Sequence, residues 1–123
     1  GDWSSAVCSS DLALGLDARF RQDATAATLE TEMRARRPVA VGWLHRGTVA
    51  APAGGGHWGV IVGFDPTRFC LHDPYGEPDL IGGGHLPGSS GRAVWVSRRN
   101  WLPRWTPGGS GGWCVTVSGP VPF

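Results

Sequence analysis

Glycine and proline interrupt this sequence so often that they decide what kind of fold it can form. Gly (20) and Pro (10) occupy 30 of the 123 positions, a share that on its own is typical of low-complexity chains. Seven tryptophans, however, are spread through the apolar segments between these residues. We therefore expect one small, loop-rich domain with a single hydrophobic core.

Charge and hydropathy exclude several classes of protein. Eleven arginines, no lysines and ten acidic residues leave a net charge of +1, so we expect no nucleic-acid partner and no binding to an anionic membrane. No apolar run approaches the ~20 residues of a membrane-spanning helix, and no signal peptide opens the chain. The three cysteines, at positions 8, 70 and 114, form neither a CxxC motif nor an even disulfide framework.

The first twelve residues differ from the rest of the chain. Residues 1–12 are rich in serine and show no periodicity, which predicts an unstructured tail. Residues 2–12 also resemble the out-of-frame translation of a sequencing-library adapter, DWSSDVCSSDL, with Ala6 as the only difference. That resemblance implies a non-native tail, so that the domain itself spans residues 13–123.

Hydrophobic periodicity predicts one helix and several strands. Thr25–Arg36 has an apolar stripe of Ala26, Leu29 and Met33, and Pro38 ends it. The apolar segments that come after it predict strands at 39–44, 57–64, 68–72, 93–96 and 113–117. One helix followed by antiparallel strands is an α+β pattern.

The second and third strands predict a hairpin that carries chemistry. If Phe64 pairs with residue 67 or 68 across the turn, Asp73 lies one step from directly opposite His57. Facing and diagonal positions of a sheet are ~5–7 Å apart, so the two side chains can meet. A carboxylate bound to one ring nitrogen fixes the tautomer and leaves the other nitrogen as a base. The glycines at 54–56 leave room for another backbone to approach.

Each of these residues also has a purely structural interpretation. His57 can be a histidine at a loop–strand junction, and Asp73 before a proline can simply start a turn. Structural roles are expected for the other three histidines, which are His45, His72 and His85.

No cofactor is expected from the pattern of cysteines and histidines. Cys70 and Cys114 lie inside predicted strands, where a cysteine usually packs as a small hydrophobic residue. The chain has no ligand spacing of the CxxC or HExxH kind, so we expect no metal site.

Several blocks, in order, resemble the C39-like branch of the papain-like cysteine peptidases. They are GGGHWGVIVGFD, FCLHDPYGE, NWLPRW and GGW, and the resemblance covers about residues 25–118. It implies a papain-like antiparallel sheet with one preserved helix and without the family's N-terminal helical lobe. It also implies a peptide or protein substrate, with His57 as general base and Asp73 as its orienting acid. The expected substrate-binding residues are Gly55, Gly56 and Trp58, the last shielding the His–Asp hydrogen bond.

The nucleophile of that family has no good match in this chain. In the family it is a cysteine that opens an N-terminal helix and follows a glutamine. Only Cys8 is available here; no glutamine precedes it, and Asp11 and Gly15 interrupt any buried helix. We therefore expect the base and the orienting acid of a cysteine peptidase without its nucleophile. The family occurs in bacteria and phages, so cytoplasm, cell envelope and phage particle are all open as locations.

Two alternative functions are compatible with the same residues. A peptidoglycan-cleaving cysteine amidase or endopeptidase has a similar strand that begins with histidine. In that case His72, instead of Asp73, can be the third polar residue beside the catalytic cysteine and histidine. A non-catalytic module can instead present Trp101 and Trp105 to a peptide or a sugar.

Overall fold

A six-stranded antiparallel sheet with two helices forms the domain, as described for residues 17–118 by the computed structural model. The α+β class expected from the sequence is therefore confirmed. The predictions for residues 1–12, including Cys8, fall outside the described residues. The elements are β1 (Asp17–Ala24), α1 (Ala26–Arg34), β2 (Val39–Trp43), β3 (His57–Phe64), β4 (Arg68–His72), β5 (Val94–Ser97), α2 (Arg98–Trp105) and β6 (Gly112–Ser118).

The strand order is β1-β6-β2-β3-β4-β5, and every pair of neighbours is antiparallel. The apolar strand β2 lies between β6 and β3, the central position that its sequence predicts. Neither helix of the described residues is long and apolar enough to cross a membrane.

The predicted helix is present but is shorter than expected. Thr25 is its N-cap, and the Thr25 backbone N–H donates a hydrogen bond to Oγ1 of Thr28 at 3.1 Å. The helix ends at Arg34 because Arg36 adopts a φ of 59°, in the left-handed region. Leu29 is fully buried and packs against β2 and β3 in the core.

The β3–β4 hairpin is present, with a register that differs from the expected one. Phe64 pairs with Phe69 rather than with residue 67 or 68, and a bulge lies between Ile61 and Gly63. Beyond the bulge, Val60 pairs with His72. The bulge shifts the pairing by one residue, which restores the alignment of His57 with the segment after β4.

Both helices contribute to one hydrophobic core on the same face of the sheet. The second helix, α2, corrects the expectation of a single helix. Pro103 argues against a helix in the sequence, but α2 is short and Ser97 caps it by accepting a hydrogen bond from the Asn100 N–H at 3.2 Å. Trp101 and Trp105 stack at a centroid distance of 5.2 Å, and both are buried.

The first strand, β1, has no counterpart in the sequence-based prediction. It pairs with β6 at the edge of the sheet, from Asp17 opposite Ser118 to Ala24 opposite Gly112. Most of its side chains are polar and exposed, so its sequence lacks the apolar alternation that predicts a strand.

Arg104 of α2 is a buried arginine that fastens two loops to the core. Its side chain is 1% exposed, and its guanidinium makes five hydrogen bonds, all to backbone carbonyls. The acceptors are Leu44, Arg46, Gly47 and Leu80. The guanidinium has five N–H donors, and all of them are used. Arg104 therefore fixes the loop after β2 and the loop that leads towards His85.

Replacement of Arg104 should destabilise the domain strongly. Arg104→Lys keeps the charge, but an ammonium group has three N–H donors in place of five, so at least two of the hydrogen bonds to these carbonyls are lost. We expect the free energy of unfolding, measured by urea denaturation, to fall by more than about 3 kcal/mol. The matched control Arg99→Lys changes an exposed arginine of the same helix and should cost under about 0.5 kcal/mol. Equal effects of the two substitutions would show that the hydrogen bonds of Arg104 contribute no stability.

Candidate active site

His57 and Asp73 meet at one end of the sheet, as the hairpin geometry predicts. His57 is the first residue of β3 and pairs with Trp43 of β2, while Asp73 directly follows β4. Nε2 of His57 lies 2.7 Å from Oδ1 of Asp73, and the two side chains are 5% and 0% exposed. Because a carboxylate only accepts, Nε2 carries the hydrogen and donates it.

The Asp73 carboxylate is held by three hydrogen bonds. Its Oδ1 also accepts the backbone N–H of Tyr75 at 2.9 Å, and its Oδ2 accepts from Nε2 of His85 at 2.8 Å. Burial alone raises the pKa of Asp73, but the three hydrogen bonds outweigh burial and bring the pKa below its usual value. Asp73 also starts the turn that its sequence predicts, since the Gly76 N–H donates to its carbonyl.

His85 belongs to the site, although the sequence predicts only a structural role for it. It follows a second Gly-Gly-Gly segment, 82–84, just as His57 follows 54–56. One GGGH segment leads into a strand and the other into a loop, but both bring their histidines to the same carboxylate. The recurrence of GGGH is the sequence signal that points to His85.

Glycines in this second segment bring its loop against the loop after β2. A side chain on Gly83 would collide with the carbonyl oxygen of Gly47, so only glycine fits there. The Gly84 N–H donates to the carbonyl of His45 at 2.6 Å. This contact sets the position of His85, the next residue along the chain.

Aromatic rings enclose the His57 imidazole. Tyr75 lies over it at a centroid distance of 4.5 Å, and Trp43 contacts it edge-on at 5.5 Å. The prediction that Trp58 shields the His–Asp hydrogen bond is wrong. Successive residues of a strand point to opposite faces, and Trp58 contacts Phe20 on the other face of the sheet.

Gly55 and Gly56, the predicted substrate-binding glycines, border an open cleft beside the site. Gly56 has a φ of 91°, and neither Gly55 nor Gly56 has atoms within 4 Å of where a side chain would start. Both line a cleft of about 330 Å³, together with Trp43 and Leu44. A second cleft, of about 420 Å³, is lined by residues that include His45, Tyr75 and His85.

The geometry bears on both alternative functions. His72 is on the exposed side of β4, and its Nδ1 accepts a hydrogen bond from the Ala93 N–H at 2.8 Å, so it does not take the third place beside His57. Trp101 and Trp105 are buried in the core, so they cannot present their rings to a ligand.

Neither cysteine of the described residues can act as the nucleophile. Cys70 and Cys114 are free thiols in β4 and β6, which are not neighbouring strands, and both are buried. Burial raises the pKa of Cys70 and raises the pKa of Cys114 to about 11. Both are therefore protonated, and unreactive, at neutral pH.

Comparison of the chain with models of protein families, with curated proteins and with solved structures finds no match.

Replacement of Asp73 tests how much the shared carboxylate contributes to stability. In Asp73→Asn, one carboxylate oxygen becomes an NH₂ group. This group cannot accept the hydrogen bond that one of the two imidazole N–H groups donates. We expect the free energy of unfolding at pH 7 to fall by about 2–4 kcal/mol. Glu77→Gln, on an exposed carboxylate four residues away, is the control. An equally small loss in both variants would contradict the stabilising role of the Asp73 carboxylate.

The raised pKa of Cys114 predicts a pH dependence of stability. The folded pKa is about 11 against 9.0 for a free thiol, so the thiol's contribution is intact below pH 9 and is lost as the pH rises through 11. The full difference is about 2–3 kcal/mol. Cys114→Ala should remove this dependence, which urea denaturation between pH 8 and 11 measures. A variant whose stability falls with pH as steeply as that of the parent would refute the assignment.

Proposed function

We propose that this chain carries the general base and the orienting acid of a papain-like cysteine peptidase of the C39-like branch, acting on a peptide or protein substrate. The observation that carries the proposal is the buried hydrogen bond of 2.7 Å between His57 Nε2 and Asp73 Oδ1. The order of sequence blocks around these two residues, which resembles that of the C39-like branch, supports the same proposal.

The hydrogen bond leaves one ring nitrogen of His57 for chemistry. Nε2 donates to Asp73, so in the neutral ring Nδ1 holds the lone pair. Within residues 17–118, no group forms a hydrogen bond with this Nδ1. It is therefore free to take a proton from a thiol. The negative charge of Asp73, which its lowered pKa maintains, stabilises the imidazolium that results.

The reaction that such an arrangement supports is acyl transfer. His57 takes the proton of a thiol, and the thiolate attacks the carbonyl carbon of a scissile amide to form a tetrahedral oxyanion. His57 then returns the proton to the leaving amine, and an acyl-thioester remains. Water, deprotonated by the same ring, hydrolyses the thioester and regenerates the thiol.

The thiol for this reaction comes from outside residues 17–118. Cys70 and Cys114 are buried, and burial raises the pKa of both thiols. We propose that this chain lacks the nucleophile and hydrolyses peptides at no useful rate, because the parts of a catalytic unit act together rather than additively.

A small thiol added to the solution can replace the missing nucleophile in a test. The measured quantity is the rate at which mercaptoethanol releases nitrophenolate from a peptide nitrophenyl ester in the presence of the protein. We expect the protein's contribution to this rate to fall about tenfold or more in His57→Gln and in Asp73→Asn. This decrease is smaller than the 10²–10⁴-fold acceleration that a general base typically gives to a nucleophile held in place, because the added thiol is not held in place. His72→Ala, which removes the exposed histidine of β4, is the matched control.

Two outcomes would contradict the proposal. If the rate is the same with His57→Gln as with the parent chain, His57 is not a base. If a thiol-directed peptide probe labels Cys8 and the label disappears in His57→Ala, the chain has a nucleophile after all.

A further inference from the structure

We propose that His57, Asp73 and His85 form a binding site for a divalent transition-metal ion of the zinc type. The observation that carries the proposal is that two imidazole Nε2 atoms, one from the start of β3 and one from the loop after β4, converge on the two oxygens of one buried carboxylate. Such a site does not depend on the proposed peptidase function.

The donor set suits such an ion. The ligand atoms of the three residues all lie within 4.8 Å of one another. Two histidines and one carboxylate are a common ligand set for zinc when a fourth position is left for water. Ligand atoms around a tetrahedral ion are roughly 3.4 Å apart, given metal–ligand distances of about 2.1 Å. The present contacts of 2.7 and 2.8 Å thus need to open by less than about 1 Å, and the most distant pair of ligand atoms, within 4.8 Å, needs to close by at most about 1.4 Å.

Binding of an ion would exchange the hydrogen bonds between the two rings and Asp73 for metal–ligand bonds. An ion binds the lone pair of Nε2, so each neutral ring must move its hydrogen from Nε2 to Nδ1 by exchange with water. Nδ1 of His57 and Nδ1 of His85 have no hydrogen-bond partner within the described residues, so no contact at Nδ1 is broken by this change. The two hydrogen bonds that the Nε2 atoms donate to Asp73 would be lost, and bonds from the ion to both rings and to the carboxylate would replace them.

The surroundings of the cluster favour an ion in two ways. The backbone N–H of Tyr75 donates to Asp73, and the Asp73 N–H donates to the carbonyl of Gly91 at 2.8 Å, which orients the carboxylate as outer-shell contacts do in metal sites. His45 packs at centroid distances of 4.8 Å from His57 and 5.7 Å from His85. Its Nδ1 is buried without a hydrogen-bond partner among the described residues, which leaves a third imidazole beside the cluster.

A bound ion would also have a consequence for His57. With the ion on Nε2 and the hydrogen on Nδ1, the ring has no lone pair left and cannot take a proton. Metal binding and action as a base are therefore mutually exclusive states of the same side chain.

The test measures binding of Zn²⁺ and Co²⁺ to the full chain, in competition with a chromophoric chelator and without substrate or thiol. We expect one ion per chain in the parent and in Cys8→Ser. The affinity should fall by more than about 100-fold in His85→Ala and in Asp73→Asn, since even the loss of an outer-shell partner costs 10–100-fold. His72→Ala is the control and should bind as the parent does. Circular dichroism checks that each variant is folded.

The proposal is overturned if no ion binds, if His85→Ala binds as tightly as the parent, or if His72→Ala weakens binding as much as His85→Ala does. Cobalt gives a further criterion that needs no variant. A thiolate-to-cobalt charge-transfer band would place the ion on a cysteine and also overturn the proposal. Because neither thiol nor ester is present, these results are independent of the test of His57 as a base.

Discussion

One carboxylate, that of Asp73, holds the site together because it accepts hydrogen bonds from two imidazoles and a backbone N–H at the same time. A buried carboxylate without partners would be protonated, and a protonated one could not accept from both rings. The lowered pKa of Asp73 is thus a result of the same contacts that depend on its charge. Each imidazole that donates to Asp73 favours the ionised carboxylate, which is the form that can accept from the other imidazole.

The loops around Asp73 have little regular structure, so other groups must hold them. Arg104 does so by donating to four backbone carbonyls from inside the core. Glycine is required where the two loops touch, as the contact between Gly83 and Gly47 shows. Thus the glycine content that limits the helices and strands of this chain also permits two loops to pack closely enough to align His45 and His85.

The sequence predicts the parts of this structure that depend on local pattern. Alternation and a tight turn are sufficient for the β3–β4 hairpin, and the hairpin is sufficient to bring His57 near Asp73. Contacts between segments distant in sequence could not be predicted in this way. His85 reaches Asp73 only through loop packing, and Arg104 is a charged residue whose burial depends on carbonyls up to 60 positions away. Pro103 concealed α2 because a proline inside a helix removes a backbone hydrogen bond, but Trp101 and Trp105 of the same helix are buried in the core.

The two proposed chemistries share His57 and Asp73, and the position of one hydrogen on His57 decides between them. With the hydrogen of His57 on Nε2, the ring is oriented by Asp73 and Nδ1 can accept a proton; with the hydrogen on Nδ1, Nε2 can bind an ion. The carboxylate favours the first state by accepting the hydrogen, whereas a divalent cation favours the second by displacing it. The hydrogen of His85 can also lie on either ring nitrogen, and the proposed peptidase mechanism gives His85 no role. His85 is therefore the residue through which the two chemistries can be separated, since its loss leaves the His57–Asp73 pair in place.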